Sequence, residues 1–510
     1  MPLFHPPIIF QMFIKQLKKI ILLLHRYLGF VLSLLFVIWF ISGFVMMYVS
    51  YPTMKYHQRL QQLPAVNMDQ CHLSAKQAIT AAQLTDTVTI IRLGMLLNRP
   101  IYRIVTQKNK HLAVFADNGE LLPEVDTALA SQIAQAFVGG RSRPASVEKL
   151  TQIDQWMAAH RSQGYLPQVY RFKMDDLEKT YVYVSIYTGE VVQMLNARQR
   201  FLAWLGPVPH WIYPTVLIRN RPLWSQVVIW VSLIGVIMSL TGIVMGFIRY
   251  KRKKKQSIAF SPYKKPWFRY HHYTGFVFGI FIFTWILSGL FSMSPVDFGP
   301  DSGKILEEHK RLSGGPLNTS AFTLSPAQAW NVFKPLLTVK EIQLIQVLGK
   351  PYYLAYQDYH HTRLLAADQA DGLPFDIFSS NALTEQIQTF QPGQAIQDTV
   401  VMNSYDNYYY SRTYEKRLPV LRIRMNNPEK SWYYIDLKTG QLALKHEKGS
   451  RIERWLYHGL HSLDFGFLVY KRPLWDTVMW LLLFGGLLVS ITGLVLTGKW
   501  IKRKAKKISS

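Results

Sequence analysis

Four histidines hold matched places in this chain. His25 lies in Leu24-His25-Arg26-Tyr27-Leu28-Gly29-Phe30, and His271 in Tyr270-His271-His272-Tyr273-Thr274-Gly275-Phe276. His210 follows Trp204-Leu205 at the spacing that sets His461 after Trp455-Leu456. A neutral imidazole offers one lone-pair nitrogen, and two such rings brought together from different helices are the axial ligand set of a b-type haem. That group needs no Cys-x-x-Cys-His attachment, and the sequence has none. Copper or zinc would also accept imidazole, but no convergent carboxylate or thiolate accompanies the pairs. A lone histidine at a membrane edge beside aromatic residues is more often an interfacial anchor. The matched placement of four moves the reading toward ligation.

The expected pairs are His25 with His271 and His210 with His461, for two haems. His271 and His272 are about 100° apart on a helix, so both cannot ligate one iron, and His271 aligns with His25. His458 and His461 share a helix face, and His461 keeps the register of His210. His272 and His458 remain alternates. Tyr27, Trp39, Phe276 and Trp285, with small Gly29, Gly43, Gly275 and Gly289, would suit a flat macrocycle, as would Trp204, Trp211, Trp455 and Tyr457 beside the outer pair. His57, His111, His160, His309, His360, His361 and His446 lack matched partners and read as exposed or strand residues.

The match reflects a repeat. Trp204-Leu205, His210, Arg221-Pro222-Leu223-Trp224 and Ser239-Leu240-Thr241-Gly242 recur without a gap as Trp455-Leu456, His461, Arg472-Pro473-Leu474-Trp475 and Ser490-Ile491-Thr492-Gly493, at an offset of 251. Trp39, Ser42 and Gly43 likewise read against Trp285, Ser288 and Gly289.

Four apolar runs position these residues: about Ile20 to Val49, Val227 to Ile248, Phe276 to Met293 and Val478 to Thr497. Each meets the roughly 20-residue requirement of a bilayer helix, and the first is too long for a cleavable signal. The net charge of +27 is unevenly placed: the N-terminal arm, the linker from Arg249 to Arg269 and the tail from Lys499 to Lys507 are basic and contain no Asp or Glu. The positive-inside rule puts these segments in the cytoplasm and the two long intervening segments outside. Membrane-flanking clusters explain the Lys251-Arg252-Lys253-Lys254-Lys255 run without nucleic acid. Cys71 alone can form neither an intramolecular disulfide nor a thiolate cluster.

The expected fold is a membrane α-helical four-span bundle with internal duplication, plus α+β external modules. Residues 1–51 hold the arm and first span, 52–203 the first external modules, 204–250 a histidine helix and second span, and 251–266 the basic linker. Residues 267–293 form the third span, 294–454 the second external modules, 455–498 a histidine helix and fourth span, and 499–510 a basic tail. Each external segment opens on a capped helix, at Leu73-Ser74-Ala75-Lys76-Gln77 and Leu324-Ser325-Pro326-Ala327-Gln328. Each closes on strands ending in a Thr-Gly turn, at Thr188-Gly189 and Thr439-Gly440.

Leu24-His25-Arg26-Tyr27-Leu28-Gly29 resembles the opening motif of the PepSY-associated transmembrane helix family, the iron-regulated membrane proteins. Leu205-Gly206-Pro207-Val208-Pro209-His210-Trp211 and Leu460-His461-Ser462-Leu463-Asp464-Phe465 are similar to its motifs before the second and fourth spans, and the helix-and-strand units resemble PepSY modules. The resemblance covers nearly the whole chain. It implies a bacterial inner-membrane ferric-siderophore reductase with haem b between its helices and periplasmic modules. The implied partners are membrane lipid, a ferric siderophore or other ferric chelate and an unidentified electron donor, with no nucleic acid. The rival is a cofactor-free, membrane-anchored PepSY protein that binds or regulates a partner.

Distance is the difficulty for electron transfer, since roughly 24 residues of helix at 1.5 Å each separate His25 from the outer edge of its span. Either the bundle tilts and the porphyrin edges close that gap, or the outer histidine helix dips inward, or the pairing is wrong. One stretch departs from the repeat: Asp406-Asn407-Tyr408-Tyr409-Tyr410-Ser411-Arg412, whose positional counterpart is Asp154-Gln155-Trp156-Met157. Tyr408, Tyr409 and Arg412 are candidate contacts for a polar, anionic chelate, with a Tyr-rich packing strand as the alternative.

Overall fold

The computed structural model describes residues 8–158, 168–250, 261–295 and 298–508. His160, Leu166-Pro167 and the Lys251–Lys255 run lie outside the described residues. Two units emerge, one of Met1–Tyr51, Phe201–Phe298 and Ile452–Ser510, the other of Pro52–Arg200 and Gly299–Arg451.

In the first unit, among the described residues, four helices are long and apolar enough to cross a bilayer: Met12–Met46, Arg221–Arg249, Pro266–Phe291 and Leu474–Ile508. All but the second run well past the apolar sequence at their basic ends. The fourth continues through Lys507 because Lys, Arg and Ala are good helix formers. The second and third helices start at Pro222 and Pro266 in their first turn, where a missing N–H costs nothing. The first helix packs on the second and fourth, as does the third. Phe36, Phe40, Trp285 and Trp475 fill the bundle centre, while Val31, Val277, Leu481 and Phe484 remain exposed on its outside, as suits helices solvated by lipid. Gly485 and Gly486 give the rings room: a Cβ on either would lie 2.2 Å from Phe278 or Phe40 respectively.

The second unit is built on a six-stranded sheet with strands β1 (Val88–Leu96), β2 (Arg99–Thr106), β3 (His111–Phe115), β8 (Glu341–Val347), β9 (Lys350–Tyr356) and β10 (Thr362–Ala366). Their order is β10-β9-β8-β1-β2-β3. β1 and β8 pair antiparallel, with Ile91 opposite Leu344, Arg92 opposite Gln343 and Leu93 opposite Ile342. Helices Ala75–Ala81 and Pro326–Phe333 cover one face. Ser74 and Ser325 cap them, each accepting from the N–H of the Gln three residues on, and each box contributes about 1 kcal/mol. Tyr102 and Tyr353 are buried beneath, their hydroxyls donating to the Leu73 and Leu324 carbonyls at 2.8 Å.

Two four-stranded sheets complete the unit. β4 (Pro144–Leu150), β5 (Val169–Met174), β6 (Tyr181–Ser185) and β7 (Val191–Leu195) pack with helix Thr127–Phe137 against β2 and β3. β11 (Ile396–Met402), β12 (Val420–Met425), β13 (Trp432–Asp436) and β14 (Gln441–His446) pack with helices Ser302–Ser313 and Ser380–Gln388 against β9 and β10. Gly189 and Gly440 close the Thr-Gly turns at φ of 60° and 66°, in the left-handed region where a side chain is strained.

Where the two hairpin sheets join, charge is buried. Arg59 Nη2 donates to both Glu341 oxygens at 2.9 and 2.8 Å, and Arg92 grips Glu190 through two bonds of 2.8 and 2.9 Å. Burial alone would raise both carboxyls, but the Arg92 and Arg59 guanidiniums outweigh it and hold Glu190 and Glu341 below the usual carboxylate range.

Candidate functional site

The first unit brings the matched histidines together across the bundle. His25 and His271 have ring centres 6.2 Å apart, and His210 and His461 6.0 Å apart. His25 and His271 come from the first and third helices. His210 ends the short helix Pro207–His210, and His461 lies in the short helix Leu460–Ser462.

Each ring sits on a Ser-Gly or Thr-Gly pair of a spanning helix. His210 Nδ1 meets the Trp39 carbonyl at 3.2 Å and the Ser42 hydroxyl at 3.0 Å. His461 Nδ1 repeats this at the Trp285 carbonyl, 3.1 Å, and the Ser288 hydroxyl, 3.0 Å. His271 Nδ1 meets the Thr492 hydroxyl at 3.0 Å, with the Val489 carbonyl beside it. His25 Nδ1 meets the Met238 carbonyl at 3.1 Å, and Thr241 donates to that same carbonyl at 2.8 Å. A carbonyl oxygen can only accept, so each Nδ1 carries the proton and each Nε2 holds the lone pair.

The glycine of each pair supplies the space. A Cβ on Gly242 would stand 2.7 Å from His25 Cε1, and on Gly493, Gly289 and Gly43 it would stand 3.5, 3.6 and 3.9 Å from the same atom of His271, His461 and His210. Gly29 and Gly275, expected beside a macrocycle, have no neighbour within 4 Å of such a Cβ. Tyr27 and Phe276 are largely exposed on the outside of the bundle, whereas Trp39 and Trp285 contribute the carbonyls that receive the outer pair.

Two metal–imidazole bonds of about 2 Å laid end to end, plus about 1.1 Å from each nitrogen to its ring centre, separate ring centres by about 6 Å. Both pairs match that spacing. All four histidines are only partly buried despite their place between helices. Among the described residues, the buried polar atoms Trp39 Nε1, Ser33 Oγ and His272 Nδ1 have no hydrogen-bond partner, and Ser33 adjoins Gly493. Such orphans mark a place for a further polar group. The residues present therefore fit a bis-imidazole haem at each pair. Among the described residues no group of three or more His, Cys, Asp and Glu gathers as a metal cluster.

The alternates are placed differently. His272 is buried, with Nε2 at 3.1 Å from the Gly246 carbonyl, and it rings with Tyr263 rather than with a second-helix histidine. His458 has a half-exposed side chain whose Nδ1 lies 3.9 Å from Asp464. The outer pair also sits deeper than the end of the first span. Its contacts at Trp39 and Ser42 are 14 and 17 residues beyond His25, or about 21 to 25 Å of helix, so the outer histidine helices do dip inward.

Of the Tyr-rich stretch, the structure corrects Tyr409 alone. Tyr409 is buried, stacked on Tyr434 at 5.3 Å, and its hydroxyl donates to the Arg417 carbonyl at 2.8 Å. It is committed to the core and cannot contact a bulky chelate. Tyr408 packs edge-on to Trp432 and His446; Arg412 is exposed. Nor has the counterpart diverged in its bonding. Asp406 accepts from the Tyr408 and Tyr409 N–H groups, from Arg422 and from the Tyr434 hydroxyl. Asp154 accepts from Trp156 and Met157 N–H, Arg171 and Tyr183 in the same way. The aspartates tie a loop to a sheet in both halves.

Sequence reasoning found the histidines and missed their supports, Ser42, Thr241, Gly242, Ser288, Thr492 and Gly493. The signal was present, since all six lie within the repeated Ser/Thr-Gly dipeptides. With this geometry established, the class follows: a multi-pass membrane protein with one histidine pair on its spanning helices and a second on short helices packed against them. The chain belongs to the family described as the PepSY-associated TM region, whose model matches residues 22–503. No curated protein matches it.

Proposed function

We propose that this protein is a duplicated, four-span haem protein of the bacterial inner membrane. It would pass single electrons from a reductant inside to a ferric chelate, such as a ferric siderophore, in the periplasm. The observation that carries the reading is the pair of histidine couples at 6.2 and 6.0 Å, each ring with Nδ1 committed and Nε2 left as the donor. His25 and His271 would hold an inner haem b, and His210 and His461 an outer one. Haem so held supplies a one-electron Fe(III)/Fe(II) couple. The carbonyls and hydroxyls behind each ring fix its tautomer and its orientation. The glycines keep the rings seated, and the aromatic core around Phe36, Phe40 and Trp285 excludes water between the pairs.

The basic arm, linker and tail support cytoplasmic termini and periplasmic PepSY-like modules. A ferric chelate that gains one electron becomes a ferrous one, which Fe(III)-selective ligands hold weakly, so the metal is released. The test is colour. Protein purified from haem-replete cells should show low-spin, bis-imidazole spectra with two non-covalent haems per chain by pyridine haemochrome. A colourless protein would sink the reading, and a ratio near one would remove one pair.

A further inference from the structure

The two halves differ beside the outer pair. In the second half the turn Trp455–Gly459 is a π-helix, a form that concentrates at functional sites. It places Tyr457 with its ring centre 5.5 Å from that of His461 and 4.5 Å from that of His458. The His458 side chain is 47% exposed, so this short chain of rings ends at the protein surface. The loop that follows holds the turn in place. Leu463 adopts φ of 50°, the Asp464 N–H donates to the His458 carbonyl at 3.2 Å, and Trp455 stacks on Phe465 at 5.8 Å. The Asp464 carboxylate, only 2% exposed, lies 3.9 Å from His458 Nδ1. At the matching positions the first half has Gly206 and Pro207, neither of which carries an aromatic ring.

We infer that the outer pair exchanges its electron with the ferric complex through Tyr457 and His458, so that the complex docks against His458 on the second-half face. This rests on the haem reading above. Electron transfer falls off steeply with the gap between conjugated groups, and two contacting rings shorten that gap on the second-half face. The step is one electron from the reduced protein to the chelated Fe(III), giving Fe(II), with no bond made or broken on Tyr457 or His458.

The test uses full-length protein in detergent, reduced with dithionite, desalted and mixed with a ferric trihydroxamate. Tyr457→Leu and His458→Ala should slow reoxidation at least tenfold while leaving haem content and low-spin spectra unchanged, and Tyr457→Phe, which keeps the ring, should retain most of the rate. Independently of turnover, a redox-inert gallium trihydroxamate should protect His458 from carbethoxylation mapped by mass spectrometry. Haem-loaded variants with wild-type rates and an unprotected His458 would overturn the exit route while the haem reading stands. Loss of the outer haem in His458→Ala would make His458 a ligand and overturn it too. A colourless wild-type protein would overturn both.

Discussion

Arg92 sits directly opposite Gln343 in the antiparallel pairing of β1 with β8, and the two residues are 251 positions apart, the offset of the sequence repeat. A residue that pairs with its own counterpart lies on a local two-fold relation, which supports reading the chain as two copies joined edge to edge. The join also protects both sheets, because an unpaired central edge would expose a row of backbone donors and acceptors.

The histidine pairs predict a partition. His25→Ala or His271→Ala should remove one haem and leave the other spectrum intact, and His210→Ala or His461→Ala should do the converse. Haem-to-protein ratios and electron paramagnetic resonance of each variant would show it. Loss of both haems in every variant would mean that the pairs are not separate sites.

The seats predict graded effects. Gly242→Ala forces a Cβ to 2.7 Å from His25 and should abolish the inner site, whereas Gly43→Ala stands 3.9 Å from His210, with the flexible Leu483 side chain nearest at 3.1 Å, and should leave the outer site occupied. Thr492→Val and Ser288→Ala remove hydroxyls behind His271 and His461 and should weaken retention about 10- to 100-fold. Haem transfer to apomyoglobin measures this; equal retention in all four variants would refute the seat.

Acid should unfold the second unit through its buried ion pairs. Glu190 and Glu341 titrate below their unfolded value of about 4.3, so their contribution is complete above that pH and fades as pH falls toward the folded values. Glu341→Gln leaves Arg59 short of its partner and should cost about 3–5 kcal/mol at neutral pH. Chemical denaturation of the purified protein at pH 7 and pH 3.5 tests both; an unchanged midpoint in the variant would show that the pair is dispensable.

His446 acts in a different window. Burial lowers its pKa from 6.5 to about 4, against Tyr408 and Tyr434, with Nδ1 near the Ser450 hydroxyl at 3.2 Å. The unfolded chain therefore binds the extra proton first, and stability should drop as pH falls from about 6.5 to 4, by up to about 3 kcal/mol. His446→Gln should flatten that interval and leave the more acidic one unchanged. A wild-type slope in the variant would assign the effect elsewhere.

Much of this was readable from local pattern. Apolar runs announced the spans, Ser74 and Ser325 the capped helices, and Thr188-Gly189 and Thr439-Gly440 the closing turns. The register of β1 on β8 was not, because strands so distant in sequence leave no local sign of their pairing. The depth of His210 also escaped, since it depends on how a short helix packs rather than on hydropathy. Tyr409 misled for a chemical reason: tyrosine serves equally as a surface contact and as a core residue with one satisfied hydroxyl. Its counterpart looked unrelated because the conserved element is the Asp406 and Asp154 carboxylate with its Arg and Tyr partners, while the residues around it vary.

Each imidazole couple takes one member from either half of the polypeptide, and this orders biosynthesis. His25 leaves the ribosome well before His271, and the Thr492 hydroxyl that steadies His271 arrives only with the last span. A nascent chain carries half-built sites until its C-terminal helix has inserted. Whatever the couples hold must then be acquired by the finished protein, and a product truncated before the fourth span leaves the inner site without its Thr492-Gly493 seat.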